Sequence, residues 1–208
     1  MINPPLLLVT DRKQASAPLA DILDVAFAAG CRWASLREKD LAVQEQVALA
    51  RSLMPVAPKW NARLTVHGGV PTAVAAGAHG VHLAAGGDVS GARTVLGPDA
   101  LVGISIHSIA EARSLDPNLV DYAIAGPAFE TASKPGYGPT LGPEGIRAIA
   151  SAARVPVIAI GGITAERVVE ITVAGAAGIA VMGSVMRARD PGAEVRALLA
   201  ALHKRTGA

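Results

Sequence analysis

Eight short apolar runs, each followed by a stretch with helical spacing, constrain most strongly what this chain can fold into. The pattern predicts strands at Leu6–Thr10, Trp33–Arg37, Leu64–His67, Gly80–Leu83, Val102–Ile106, Tyr122–Ala125, Val157–Ile160 and Ile179–Met182. It predicts helices at Leu19–Ala29, Val43–Leu53, Pro71–Ala76, Ser90–Val95, Ala110–Leu115, Pro143–Ala152, Ala165–Ala174 and Gly192–His203. Short uniformly apolar runs read as parallel strands buried on both faces, which need helices to cover them. An eightfold strand–helix alternation predicts a closed (β/α)₈ TIM barrel, an α/β fold. A doubly wound open sheet shares the alternation. The count of eight favours closure, as does the lack of a charged or proline-blunted edge strand. No linker rich in Ser, Gly or Pro divides the chain, so residues 1–208 are expected to form one barrel domain.

Composition narrows the function. Apolar residues make up 51% of the chain and aromatics 3%, so the core must be built from Ala, Val, Ile and Leu. The net charge of +2 comes without a basic run beside stacking aromatics, which argues against nucleic acid as a partner. The single cysteine, Cys31, allows no internal disulfide and no cysteine metal cluster, and fits a reducing, cytoplasmic setting. The N-terminus lacks a signal-like pattern. The uncharged run over residues 171–186 is short and broken by Gly175, Gly178 and Gly183, so no membrane partner is expected. The pattern leaves a homodimer open.

In a barrel, chemistry sits just past the C-terminal strand ends. Those positions hold Arg37, Lys39, His67, Ser105, His107, Gly161, Gly162, Gly183 and Ser184. Cations and small residues together suit a phosphate, because backbone N–H groups can approach the anion. Arg37 and Lys39 stand two apart at a strand end and can clamp phosphate or pyrophosphate; the other reading is a solvated pair beside Glu38 and Asp40. The Gly161-Gly162 and Gly183-Ser184 turns follow the last two strands, which is where barrels often bind phosphate, although tight turns alone also demand glycine. Thr131, Ser133 and Lys134 open a Gly/Pro-containing loop. Its residues 132–139 read as a lid over an anion or as an ordinary surface loop. His67 and His107 are candidate bases, whereas His82 reads as structural.

These motifs occur in an order that resembles one family. Leu36-Arg37-Glu38-Lys39, Gly80-Val81-His82-Leu83, Val102-Gly103-Ile104-Ser105, Asp121-Tyr122, Gly126-Pro127-Ala128-Phe129 and the run from Pro156 to Ile163 carry the likeness. The chain resembles the thiamine phosphate synthase and thiazole tautomerase family, whose fold is a (β/α)₈ barrel. In its synthases the residues matching Arg37, Lys39 and Ser105 hold the pyrophosphate of an aminopyrimidine substrate. Those matching Thr131, Ser133 and Lys134 lie where that pyrophosphate meets a thiazole, and the glycine turns match the thiazole phosphate site.

Departures from the synthase pattern bear on which reaction is expected. Synthases usually carry Asn-Asp after strand three and Gly-Gln-Glu-Asp after strand four, and both aspartates bind magnesium. Here the stretches are His67-Gly68 and Ala84-Ala85-Gly86-Gly87-Asp88, and Ser35 replaces a glutamine. The expectation is therefore a metal-independent isomerase resembling the thiazole tautomerases, with no cofactor and a small phosphorylated thiazole or pyrimidine as ligand. The tautomerase histidine falls at Pro127, so its base would have to be His67, His107 or Glu130. The alternatives are a thiamine phosphate synthase, the one case requiring magnesium, and a non-catalytic phosphate binder.

Overall fold

A computed structural model describes residues 5–133 and 138–204. The strands are β1 (Leu6–Val9), β2 (Trp33–Leu36), β3 (Arg63–His67), β4 (Gly80–Leu83), β5 (Leu101–Ile106), β6 (Tyr122–Ala125), β7 (Val157–Ile160) and β8 (Gly178–Val181). They form a closed barrel in chain order. The parallel pairing of β1 with β8, in register Leu8 to Val181, closes the ring and excludes the open sheet. The helices are α1 (Leu19–Ala28), α2 (Val43–Leu53), α3 (Val70–Ala76), α4 (Val89–Leu96), α5 (Ile109–Ser114), α6 (Gly142–Ala152), α7 (Val168–Val173), α8 (Gly183–Met186) and α9 (Pro191–His203).

Alternation along each strand builds two cores. In β1, Leu7 and Val9 point inward and pack with Trp33, Tyr122, Ile124, Ile158 and Ala180. Leu6 and Leu8 belong to the outer core, between strands and helices, with Ile22 and Phe27 of α1. Two of the few aromatics thus plug the barrel itself. Trp33 and Tyr122 meet edge to face at 4.5 Å between ring centres, worth about 1 kcal/mol beyond the area they bury. Gly103 makes this possible, because a Cβ there would overlap the Tyr122 ring.

Helix ends follow local chemistry. Asp88, Ser108 and Asp190 cap α4, α5 and α9 by accepting from backbone N–H groups of the first turn. The segment expected to be helical from Ala165 begins instead as a 3₁₀ turn, Ala165–Arg167, before α7. Thr164 makes no side-chain cap there. Among the described residues no helix is long and apolar enough to cross a membrane.

Candidate active site

The C-terminal strand ends surround a cavity of about 860 Å³. Arg37 and Lys39 line it from β2, His67 from β3, Ser105 and His107 from β5, and Thr131 and Ser133 from the loop after β6. Gly161 and Gly162 line it from the end of β7, and Gly183 and Ser184 from the end of β8. The strand-end reading thus brings together every expected site residue except Lys134, which lies outside the described residues. The expected lid, residues 132–139, is described only at its two ends.

The carboxylates beside Arg37 and Lys39 are engaged elsewhere. Thr10 donates to the buried Glu38 at 2.7 Å, and the Arg12 backbone N–H lies 3.1 Å from both Glu38 oxygens. The Arg12 guanidinium makes two bonds of 2.8 Å to Asp40, and Lys13 adds an ion pair at 3.0 Å. These hydrogen bonds, led by that from Arg12, hold the Asp40 carboxyl well below the usual carboxylate range. Among the described residues, neither Arg37 nor Lys39 has a carboxylate partner. Burial, then the charge of Arg37, lowers the Lys39 pKa. An anion between the two would relieve both effects.

Behind Ser105 runs a buried polar row. Ser105 Oγ lies 2.9 Å from His82 Nε2, and His82 Nδ1 lies 3.2 Å from the Tyr122 hydroxyl. His82 is fully buried, stacked on Tyr122, with its ring centre 4.7 Å from that of His67. Burial, then the nearby His67 and Lys39, pushes its pKa well below 6.5, so the ring is neutral. The structural reading of His82 therefore needs extending, since the side chain bonds a cavity residue. His107 is exposed at the rim. Its Nδ1 lies 3.2 Å from Gly126 O, a carbonyl that only accepts, which places a proton on Nδ1.

The two glycine turns differ. Gly161 (φ +102°) and Gly162 (φ +61°) are left-handed, and a Cβ on either would strike the chain at Pro127–Glu130. Their glycines are thus already required by close approach to the loop after β6. At Gly183 a Cβ would instead meet the Arg187 guanidinium and Ser133 Oγ, the movable ends of two cavity side chains. Arg187 and Ser133 both donate to Gln14 Oε1, joining the loops after β1 and β6 to the end of α8. Among the described residues Arg187 has no ion-pair partner, and the buried Ser184 Oγ has no hydrogen-bond partner. Arg187 and Gln14 escaped the sequence reading because nothing local marks them.

The residues present do not reproduce a magnesium site. Magnesium requires hard oxygen ligands held close together. His67 and Gly68 end β3, while Asp88 caps α4 through a 2.8 Å bond from the Gly91 N–H and does not line the cavity. The lining carboxylates, Glu130 and Glu166, belong to the loops after β6 and β7. Among the described residues no group of three or more His, Cys, Asp or Glu side chains could hold an ion.

Residues 6–185 match the family described as thiamine monophosphate synthase. A protein of Symbiobacterium thermophilum named thiamine biosynthesis bifunctional protein ThiM/ThiE is 40% identical over 90% of this chain, which spans 39% of that longer protein. A putative thiamine-phosphate synthase of Geobacter sulfurreducens is 38% identical over 97% of this chain and 95% of its own length. Among solved structures, a thiamine phosphate pyrophosphorylase from Pyrococcus furiosus superposes with a TM-score of 0.85. It is 28% identical, covering 97% of this chain and 96% of that one. These names lend no support to the leading expectation of a tautomerase and favour the synthase alternative. By sequence over nearly its whole length, the chain belongs to the thiamine monophosphate synthase family.

Proposed function

We propose that the protein is a thiamine-phosphate synthase, a transferase that joins hydroxymethylpyrimidine pyrophosphate to a thiazole phosphate. The observation that supports this reading is a cavity lined by cations from separate strand ends, Arg37 with Lys39 after β2, and Arg187 after β8 with Arg167 after β7. Two anionic groups, one on each substrate, match two poles. Arg37, Lys39 and Ser105 hold the pyrophosphate; Gly183, Ser184 and Arg187, with the Gly161-Gly162 turn alongside, hold the thiazole phosphate. Ser133 lies beside Arg187 and Gly183 of the second group, with Thr131 bonded to its N–H, and Lys134 is assigned with them by the family pattern alone. The step forms a bond from the thiazole ring nitrogen to the pyrimidine methylene carbon. The carbon–oxygen bond to pyrophosphate breaks, and the electron pair leaves with inorganic pyrophosphate. Arg37 and Lys39 stabilise the charge that grows on the leaving group. No base is required, so His67 and His107 line the walls without moving a proton.

A non-catalytic phosphate binder is the second reading, favoured by the missing acidic pair at the ends of β3 and β4. Calorimetric titration tests the two poles. Inorganic pyrophosphate and thiazole phosphate should bind together, each leaving the other's affinity within about twofold. Mutual exclusion would mean one anion site and would defeat the bisubstrate reading.

A further inference from the structure

The loop after β1 is tied to the end of α8 on both sides of Arg187. The Ser16 N–H donates to Met186 O and the Ser16 hydroxyl to Ala188 O, each at 2.8 Å. Beside those two anchors, Gln14 Oε1 accepts from the Arg187 guanidinium and, at 3.2 Å, from the Ser133 hydroxyl. The other end of the same amide donates to Asp11 Oδ2. A carboxylate only accepts and a guanidinium only donates, so one orientation of the amide satisfies both, with Nε2 toward Asp11 and Oε1 toward Arg187. Asp11 is itself held, because its second oxygen accepts the Lys13 N–H at 3.1 Å. Segments after β1, β6 and β8 thus meet on one neutral oxygen.

That neutrality has a consequence for charge. Arg187 uses Nη1 for Gln14 and for Ser133 Oγ, the latter at 3.3 Å. Among the described residues its Nη2 and Nε make no hydrogen bond, and no carboxylate pairs with it. The guanidinium and the Ser133 hydroxyl rest together against Gly183, where a Cβ would overlap both. A carboxylate in place of the Gln14 amide would hold the arginine at least as firmly, but it would cancel the charge. We propose that Gln14, oriented by Asp11, is a positioning residue that holds Arg187 and Ser133 over Gly183 to receive the phosphate of the thiazole substrate. Anchored through Nη1, the guanidinium keeps its Nη2 and Nε edge for two parallel bonds to phosphate oxygens. Fixing the side chain before the ligand arrives lowers the entropy lost on binding.

The inference rests on the proposed thiazole phosphate site, and calorimetric titration of variants separates the two. Gln14→Glu puts a carboxylate against the guanidinium and should weaken thiazole phosphate binding about tenfold or more, the worth of one charge-assisted hydrogen bond. Gln14→Met leaves the charge but frees the side chain, and should weaken binding about fivefold. Inorganic pyrophosphate affinity should stay within about twofold in both, since its site is built from other residues. The order of the two variants is the discriminating result. A merely structural Gln14 would suffer less from Glu, which keeps the tie to Arg187, than from Met, which loses it. That reversed order, or a parallel loss of pyrophosphate binding, overturns the inference and leaves the site standing. Wild-type thiazole phosphate affinity in both variants, with loss in Arg187→Met, does the same. Undiminished affinity in Arg187→Met, or a wild type that binds no thiazole phosphate, overturns the site and the inference with it.

Discussion

Glu38 sits in sequence between the two cations of the β2 wall, yet its oxygens accept from Thr10 and Arg12. Thr10 also accepts from the Arg37 N–H at 3.0 Å, so one hydroxyl ties the end of β1 to the residue that presents Arg37. Thr10→Val keeps the shape and removes both bonds. It should cost about 2 kcal/mol, the penalty for leaving a buried partner short, and raise the KM for the pyrophosphate substrate more than it lowers kcat. Urea denaturation and steady-state kinetics read the two effects; a wild-type KM would detach Thr10 from the site. Asp88 allows a different test. Asn caps a helix about as well as Asp, so Asp88→Asn should stay within about 0.5 kcal/mol of wild type and keep its turnover. A tenfold loss restored by added magnesium would make Asp88 a metal ligand after all. The cations and hydroxyls at strand ends were legible in the sequence because the strand pattern alone places them. Arg187, Gln14 and the pairing of His82 with Ser105 were not, since they depend on segments that meet only once the barrel closes.

At the level of elements, the loops after β6 and β7 interlock. Gly161 and Gly162 approach the chain at Pro127–Glu130 too closely for any side chain, whereas Gly183 faces movable groups. The same substitution should therefore act differently at two sites. Gly162→Ala should mainly destabilise, through left-handed strain of about 1 kcal/mol plus collision with the neighbouring loop. Gly183→Ala should leave the thermal midpoint nearly unchanged and weaken thiazole phosphate binding. Calorimetry and thermal denaturation on both variants check this; equal loss of stability would make both turns architectural. From the sequence the glycines were visible but their reasons were not, because a turn and a close approach leave the same letter. Strand positions were legible to within one residue, since burial on both faces gives each strand a mainly apolar run, whereas the short α8 was not expected because Gly183-Ser184 reads as a turn. The 3₁₀ start before α7 was not legible, because the helical spacing from Ala165 is the same for either first turn.

Across the whole molecule, a neutral histidine at full burial ties stability to pH. The folded pKa of His82 lies well below its unfolded value near 6.5, so the unfolded chain takes up the proton first as pH falls. Stability should be complete above about pH 6.5 and decline below it, by at most about 1.4 kcal/mol per pH unit from this group. Urea midpoints at pH 7.5 and 5.5 should differ in wild type and differ less in His82→Gln. Equal wild-type midpoints would mean that His82 is protonated in the fold. The barrel that buries His82 also lines one cavity with cations from separate strand ends, and joining two phosphorylated substrates is the claim built on that arrangement. The direct measurement is to incubate purified protein with hydroxymethylpyrimidine pyrophosphate and thiazole phosphate, and to quantify inorganic pyrophosphate and thiamine phosphate together. The two products should appear in equal amounts, with both rates lost in a variant carrying Arg37→Met and Lys39→Met. Saturable binding of both substrates with neither product formed would contradict the transferase and leave a binding protein.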